Sequence, residues 1–203
     1  ASDWTNENNF GLLHLFNSST LLSIIIGVLL LDLVGAYLPH LVQHKVKLLW
    51  YIHIVHHTDQ KVDTTTANRH HPFESIVRFI FTLTGIIISG APIGLVLMYQ
   101  SLSVIFSQFN HANIQISDKV DKALSYLIVS PNMHKVHHHF ELPYTDSNYG
   151  NIFSLWDRLF GTYMELSKSE IIYGVDTDLD EIKNSKFNSL IKRPFKKWYN
   201  HFN

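Results

Sequence analysis

The sequence predicts an all-α, membrane-embedded helical protein with a histidine-rich helical cap. Three observations lead to this prediction. Only 16% of the 203 residues are charged, against roughly 25% in a typical soluble domain. Two long stretches are almost free of charge, and 12 of the 14 histidines lie between His40 and His139, mostly in polar segments outside these stretches. The length fits a single domain over residues 1–203.

The first apolar stretch, Thr20 to Leu38, contains a single charge, Asp32. A helix of this length measures about 28 Å, close to the ~30 Å thickness of a bilayer core. The stretch therefore predicts a transmembrane helix over residues 20–38. A buried core helix of a soluble protein is the alternative.

The second apolar stretch runs from Ile76 to Phe106, and Arg78 is its only charge. It is too long for one ordinary span, and Gly90-Ala91-Pro92 interrupts it. Proline removes a backbone donor and disfavours helix at the residue before it. We expect two shorter helices that form a membrane hairpin over residues 76–106. One tilted, kinked helix is the alternative.

The composition also excludes several classes of protein. The chain contains no cysteine, which rules out disulfides, iron–sulfur clusters and thiol nucleophiles. A net charge of −1 gives no electrostatic reason to expect a nucleic-acid partner. The basic residues near the end of the chain favour a cytoplasmic C-terminus; they are Lys192, Arg193, Lys196 and Lys197.

Histidines recur at helical spacing in two predicted cap segments, residues 40–75 and 108–165. Residues at i, i+3 and i+4 share one face of a helix, so each group presents its imidazoles together. His44 and His53 are nine residues apart, about 180° on an unbroken helix. If both face one centre, the chain must turn between Lys45 and Leu49. The groups are His40 and His44; His53, His56 and His57; and His134, His137 and His138.

Eight imidazoles are too many for one metal ion, because zinc takes about four ligands and catalytic zinc about three. Two ions with about four or five nitrogens each, plus open positions, fit the count. Imidazole suits several metals, and open positions on a redox metal favour O2 chemistry, so we expect two iron ions. His71 and His111 are single sites whose role position alone leaves open. The histidines predicted not to be ligands are His14, His70, His139 and His201.

These motifs resemble the sterol desaturase / fatty acid hydroxylase superfamily in its compact bacterial form, over roughly residues 30 to 195. The resemblance rests on several separate elements. Leu41 departs from the pattern, since the family often has arginine after the first histidine. The matching elements are Asp32 and Tyr37 ahead of His40 and His44; Trp50 ahead of His53, His56 and His57; Arg69-His-His71-Pro72-Phe-Glu74; His111-Ala-Asn113; Ser130-Pro131-Asn132-Met133-His134; Asp146-Ser-Asn-Tyr-Gly150; and Trp156-Asp-Arg-Leu-Phe-Gly-Thr-Tyr163.

The resemblance implies a membrane helical base, a di-iron centre on the cytoplasmic side, O2 as co-substrate and an external electron-donor protein. It also implies that His71 and His111 belong to the metal site or its immediate surroundings. The expected reaction is hydroxylation of an unactivated C–H bond in a lipid or sterol-like substrate. Desaturation at the same site is an alternative.

Metal-bound histidines usually donate their second N–H to a carboxylate or carbonyl. The expected supporting carboxylates are Asp32, Glu74 and Asp146, while Asp157 fits a helix cap or surface ion pair equally well. Asp32 needs a partner, because a carboxylate within an apolar span is costly. On a regular helix its side chain lies about 80° around the axis from that of His40, so Asp32 could sit near the site. The amides of Asn113 and Asn148 are further candidates.

The expected substrate entry is a cleft between the 20–38 helix and the 76–106 hairpin, with Phe79, Phe81, Tyr99 and Phe106 as candidate lining residues. Two other classes of function compete. A metal transporter or membrane metal-binding protein should place its ligands inside the spans. A hydrolytic zinc enzyme needs only three or four ligands and a carboxylate base, which leaves the other histidines unexplained.

Overall fold

The computed structural model describes residues 1–15, 19–177 and 179–202. These residues form helices and connecting loops, with two isolated bridges, Ile128–Phe153 and His139–Tyr173, and no strand within the described ranges. The prediction of an all-α protein is confirmed. The helices are α1 (Ser2–Glu7), α2 (Thr20–Asp32), a π-helical segment (Leu33–Tyr37), α3 (Leu38–Lys45), α4 (Lys47–His57), α5 (Pro72–Ser89), α6 (Ile93–His111), α7 (Asp118–Leu124), α8 (Pro131–His137), α9 (Leu155–Leu159), α10 (Glu181–Ser185) and α11 (Phe187–Phe202), with 3-10 turns at Leu12–His14, Thr66–Asn68, Tyr144–Asp146 and Lys168–Glu170.

The first long helix, Thr20–Lys45, consists of α2, the π-helical segment and α3. The Ser19 hydroxyl caps its start by accepting a hydrogen bond from the Leu22 amide. Its 26 residues extend over about 39 Å, seven residues past the predicted end at Leu38. The helix therefore carries His40 and His44 near its end. Val46 adopts an extended conformation (φ −96°, ψ 107°), so the chain turns within the predicted interval.

Two helices, α5 and α6, form a hairpin around Gly90-Ala91-Pro92, as expected for the first of the two alternatives. Pro72 occupies the first turn of α5, where its missing N–H costs nothing. Gly90 ends the helix in a left-handed conformation (φ 71°), which a glycine adopts without strain. The helices begin at Pro72 and end at His111, a few residues outside the predicted range.

Among the described residues, three helices are long and apolar enough to cross a membrane: Thr20–Lys45, Pro72–Ser89 and Ile93–His111. The second and third of these helices each pack on the first through aliphatic side chains, including Leu31, Ile86 and Leu95. Their outer faces expose apolar residues that water would not stabilise. Among these are Ile76, Phe79, Ile80, Ile93, Leu97, Val104 and Ile105.

The cap is fixed to the first helix by Asp32, which is fully buried. Its carboxylate accepts hydrogen bonds from the Ile152 and Phe153 amides and from the Trp156 indole, at 2.9 to 3.3 Å. Asp157 then accepts from the Tyr149 and Gly150 amides. These contacts place the loop that follows α8 against the middle of the first long helix.

Candidate metal centre

Nine histidine rings converge at one end of the three long helices. They come from the end of α3, the length of α4, the last residue of α6 and the segment that contains α8. Because the chain turns at Val46, α4 packs beside α3 and the His44 and His53 rings lie 4.9 Å apart. The rings are His40, His44, His53, His56, His57, His111, His134, His137 and His138.

The nine rings divide into two groups. In each group one nitrogen per ring lies within 4.8 Å of the corresponding nitrogens of the others. The rings of His57 and His138, from different groups, stack at 4.8 Å, so the groups are adjacent. The first group is His40, His44, His53, His57 and His137; the second is His56, His111, His134 and His138.

The second group is the tighter of the two. The Nε2 atoms of His56, His134 and His138 each lie 3.1 to 3.2 Å from Nε2 of His111. A neutral imidazole has only one N–H, and the Nδ1 of His111 faces the Ser107 carbonyl at 2.7 Å. The Nε2 atom of His111 therefore presents a lone pair toward the Nε2 atoms of the other three rings.

Acceptors on the far side of the rings fix their orientation. In the first group, Nδ1 of His40 donates to the Tyr149 carbonyl at 2.8 Å and Nδ1 of His137 donates to the Ser147 carbonyl at 2.7 Å. Such a hydrogen bond fixes the tautomer and leaves Nε2 as a lone pair. The Nε2 atoms of His40, His44, His53 and His137 are buried without a hydrogen-bond partner.

Five of the cluster histidines have a lowered pKa, which favours the neutral ring. Burial lowers the pKa of each ring well below its ordinary value, and neighbouring imidazoles lower it further, because protonation of one ring would place a charge beside the others. The neutral ring is the form that binds metal. This holds for His56, His57, His134, His137 and His138.

The donor set fits two transition-metal ions. Unpartnered buried nitrogens are costly in a folded protein, and several Nε2 atoms of the first group have no partner, while the Nε2 atoms of the second group contact only one another. Imidazole nitrogens suit iron, zinc, copper and nickel, whereas magnesium and calcium prefer oxygen. The groups of five and four nitrogens match the numbers expected from the sequence.

The structure does not bring His71 into either group. Its Nδ1 accepts a hydrogen bond from the Phe73 amide at the start of α5, and its Nε2 lies 3.1 Å from the Ile191 carbonyl. Both ring nitrogens are therefore committed to capping α5 and to α11. The structure thus places His71 outside both groups, and its role as a ligand stays a prediction.

His70, expected to lie outside the site, instead lies at its edge. It forms a third group with His53 and Glu74, and its ring stacks on that of His56 at 4.6 Å. Glu74 is buried, and its Oε1 lies 3.1 Å from Nδ1 of His53 and 2.9 Å from Nδ1 of His70. The i, i+4 spacing of His70 and Glu74 is the sequence signal that could have indicated this contact.

Of the other expected supporting residues, Asp146 contacts a ring directly. Its Oδ1 accepts from Nδ1 of His44 at 3.2 Å, and its Oδ2 pairs with Lys45 at 2.7 Å. Asn148 instead holds the backbone, because its amide donates to the Met133 and Met164 carbonyls. Asn113 is exposed at the surface.

Asp32 and Asp157 act on the loop rather than on a ring. Both carboxylates hold the segment whose Tyr149 carbonyl accepts from His40. Burial raises the pKa of Asp157 to about 6, although hydrogen bonds from Thr162, Gly150 and Tyr149 oppose this rise. The hydrogen bonds of Asp32 go to this loop, and its support of a ligand stays a prediction.

The acceptors of His40, His111 and His137 are backbone carbonyls. Sequence reasoning missed them because every residue type carries a carbonyl, so no side-chain pattern marks them. The remaining predicted non-ligands lie outside the two groups. His14 contacts the Gly90 carbonyl, His139 accepts from the Ile172 amide and His201 packs on Tyr51.

Two spaces lie near the cluster and share three lining residues, His70, Arg78 and Ser107. A cavity of about 40 Å³ is lined by several of the rings, including His40, His53 and His134. A larger cleft of about 330 Å³ is lined mainly by α5 and α6, the two helices of the hairpin, and by Gly35 of the first long helix, whereas the substrate entry was expected between the first helix and the hairpin. Phe79 and Tyr99 line it, whereas Phe81 and Phe106 do not.

Comparison with known proteins agrees with this geometry. The family model described as fatty acid hydroxylase matches residues 24–162. The chain is 24% identical over 140 residues to the ornithine lipid hydroxylase OlsE of Rhizobium tropici, covering 69% of this chain and 41% of that protein. It is 30% identical over 145 residues to the alkylglycerol monooxygenase of Danio rerio and 25% identical over 146 residues to that of Homo sapiens, covering 70% of this chain and 30% of each enzyme.

The chain thus spans between about a third and two fifths of the length of these curated relatives. No solved structure matches it significantly. The family match covers most of the chain and every histidine of the two groups, and it confirms the resemblance inferred from the motifs. This chain is a member of the fatty acid hydroxylase family.

Proposed function

We propose that the chain is a membrane di-iron oxygenase that hydroxylates an unactivated C–H bond of a lipid. One oxygen atom of O2 enters the C–H bond, and the other leaves as water with electrons and protons supplied through an external donor protein. The observation that carries the proposal is the pair of converging imidazole groups, in each of which one nitrogen per ring lies within 4.8 Å of those of the other rings.

The residues of the chain hold and orient the metal. One ion would be held by the group of five histidines and the other by the group of four. When bound, iron supplies the O2 and electron-transfer chemistry that no side chain can provide. The Tyr149, Ser147 and Ser107 carbonyls fix three of the rings, and burial of the cluster excludes bulk water.

Hydroxylation is favoured over desaturation by the named activities of the relatives. They are a lipid hydroxylase and monooxygenases, whose reactions insert oxygen. The nine rings also argue against a zinc hydrolase, which needs about four ligands. A metal transporter should place its ligands inside the membrane spans. The histidines of the two groups lie at the ends of the long helices or beyond them, which argues against that function.

The cytoplasmic side of the membrane is the proposed location of the metal centre. The basic helix α11 packs at this end of the molecule, where Phe195 and Trp198 contact Phe73 in the first turn of α5. Lysine and arginine near the ends of spans favour the cytoplasmic side. The cluster and α11 lie at the same end, so the charge of α11 supports this orientation for both.

Metal content and product formation test the proposal together. The chain, purified from membranes, should contain two irons per molecule and form a hydroxylated lipid only with O2 and a reductant. His57→Ala and His138→Ala should abolish product formation, because each removes a ring at the boundary of the two groups. His201→Ala, whose ring packs on Tyr51 outside the cluster, is the matched control and should keep its iron and its activity.

Two zinc ions with O2-independent turnover would replace the proposal with a hydrolytic function. Full activity in either cluster variant would also contradict it. Product mass spectra from cells with and without the protein would identify the lipid.

A further inference from the structure

Arg78 is the only charged residue between Ile76 and Phe106. It lies six residues into α5, about 9 Å along the axis from Pro72. A charge at this depth is costly unless it has a partner or a polar environment. Within the described part of the chain, no carboxylate forms an ion pair with Arg78.

Two polar stripes extend along the hairpin and meet at the cleft of about 330 Å³. The α5 stripe has the spacing i, i+3, i+7, and the α6 stripe has the spacing i, i+3, i+7, i+8, so each occupies one helical face. A cleft built for an acyl chain alone would be lined with apolar side chains. The stripes are Ser75, Arg78 and Thr82 on α5 and Gln100, Ser103, Ser107 and Gln108 on α6.

The polar cleft opens on the apolar surface of the hairpin. Phe79 and Val104, which are 65% and 60% exposed, belong to its lining. A lipid in the surrounding bilayer would therefore reach the cleft without crossing water. The cleft is thus a place where a polar group can enter while the hydrocarbon remains among the apolar side chains outside.

The inner end of the polar cleft reaches the metal centre. His70, Arg78 and Ser107 line both the cleft and the cavity of about 40 Å³ beside the cluster histidines. That cavity has room for about one small group, since a water molecule occupies roughly 30 Å³ in the liquid. The Arg78 side chain thus lies at the junction between the two spaces.

We infer that the polar cleft binds the anionic end of the lipid substrate, with the Arg78 guanidinium pairing with a carboxylate or phosphate. Guanidinium binds both of these groups through two parallel hydrogen bonds. The inference rests on the proposed function and names its substrate class. It places the oxidised carbon within a few bonds of the anionic group, because Arg78 adjoins the reactive cavity.

Binding measurements test the inference without requiring turnover. Iron-loaded protein in zwitterionic nanodiscs is tested by native mass spectrometry with two matched pairs: palmitate and methyl palmitate, and hexadecyl phosphate and hexadecanol. In at least one pair, the anionic probe should bind about tenfold or more tightly than its neutral partner. The favoured pair distinguishes a carboxylate from a phosphate.

Variants separate the role of Arg78 from general damage. Arg78→Gln should lose the preference for the anionic probe, while its iron content and its affinity for the neutral probe stay unchanged. Arg78→Lys should keep part of the preference, since it keeps the charge but lacks the planar fork. Lys119→Gln removes an exposed charge on α7 outside the cleft and should bind like the unchanged protein.

Equal affinity for both members of each pair, or an unchanged preference in Arg78→Gln, would overturn the inference. A hydroxyl group placed near the methyl end of the chain would overturn it as well. If charge-selective binding depends on Arg78 but no probe gives an O2-dependent product, the binding site stands and the proposed hydroxylase function fails.

Discussion

The orientation of single histidine rings determines whether this cluster can bind metal. A ring whose Nδ1–H is held by an acceptor presents its Nε2 lone pair in a fixed direction. His44 is held in this way by the Asp146 side chain. Two cluster rings are held by carboxylates: His44 by Asp146 and His53 by Glu74. Asp146 is partly exposed whereas Glu74 is buried, so a substitution of Asp146 disturbs the packing less.

Asp146→Ala should weaken metal binding at the group of five without unfolding the protein. Loss of the acceptor leaves the His44 ring free to rotate, and such changes cost about 10- to 100-fold in metal affinity or activity. Iron retained after dialysis against a graded chelator measures the effect. Asp118→Ala, which breaks an exposed ion pair with Lys168, is the control. Equal iron retention in both variants would show that Asp146 does not position the ring.

Spacing identified eight of the nine cluster histidines, since a helix brings i, i+3 and i+4 together whatever surrounds it, while His111 was included through the resemblance. Spacing did not anticipate that His71 caps α5, because backbone capping is decided by the exact start of that helix. A histidine before a proline can either cap the helix or face the interior, and the spacing is the same in both cases. For His70 and Glu74 the sequence did carry a signal, because their i, i+4 spacing indicates the contact between them, but the sequence analysis did not draw that conclusion.

At the level of the elements, the π-helical segment Leu33–Tyr37 changes the expected relation between Asp32 and His40. A π-helical turn contains more residues than an α-turn and so shifts the register of everything that follows. Asp32 therefore contacts the loop at Ile152–Trp156, while His40 joins the cluster. The sequence prediction assumed a regular α-helix, which does not reproduce the register between Asp32 and His40.

Gly150→Ala tests how closely the loop after α8 packs. A Cβ at Gly150 would lie 2.8 Å from Oδ2 of Asp157, 2.8 Å from Cγ2 of Val129 and 2.9 Å from the Phe153 carbonyl. Relief of these contacts must move the loop, and with it the Tyr149 carbonyl that holds His40. We expect a destabilisation of about 1–3 kcal/mol and lower iron content, measured by thermal unfolding and metal analysis.

Gly94→Ala is the matched control, because no atom lies within 4 Å of its added Cβ. Alanine also favours a helix over glycine by about 1 kcal/mol. This variant should equal or exceed the unchanged protein in stability. A Gly150→Ala protein that behaves like Gly94→Ala would mean that the loop tolerates the displacement.

The ends of the elements were harder to predict than their existence. The two apolar stretches identified the long helices, because length and low charge suffice for that. Their ends depend on polar residues that the fold buries, such as His44 and His111. Hydropathy assigns such residues to the exterior, so the predicted helices are shorter than the observed ones.

For the molecule as a whole, bound metal should contribute substantially to stability. Without it, the buried nitrogens of the cluster are unpartnered, and ligands that bind only the folded state raise its stability by mass action. Removal of iron by a chelator should lower Tm by about 5–10 °C, and added iron should restore it. In His138→Ala the chelator should have a smaller effect. The same Tm with and without iron would contradict this expectation.

The polar cleft shows what the sequence could not reveal about the whole molecule. Arg78 was visible as a lone charge, but the entry was expected between the first helix and the hairpin, whereas the polar cleft is lined mainly by the two helices of the hairpin itself. The polar lining was not predicted, because Ser75 and Thr82 on α5 and Gln100 and Ser107 on α6 line one cleft only once both helices are placed against the first long helix.

The distribution of the nine rings along the chain also has a consequence for biosynthesis. Each group includes at least one histidine from the segment His134–His138, whereas the other members come from α3, α4 or α6. The group of five is complete only after the ribosome has passed His137 and the group of four only after His138, in both cases after all three long helices have been made. Iron loading should therefore follow membrane insertion, and a nascent chain arrested before Pro131 should insert but remain free of metal.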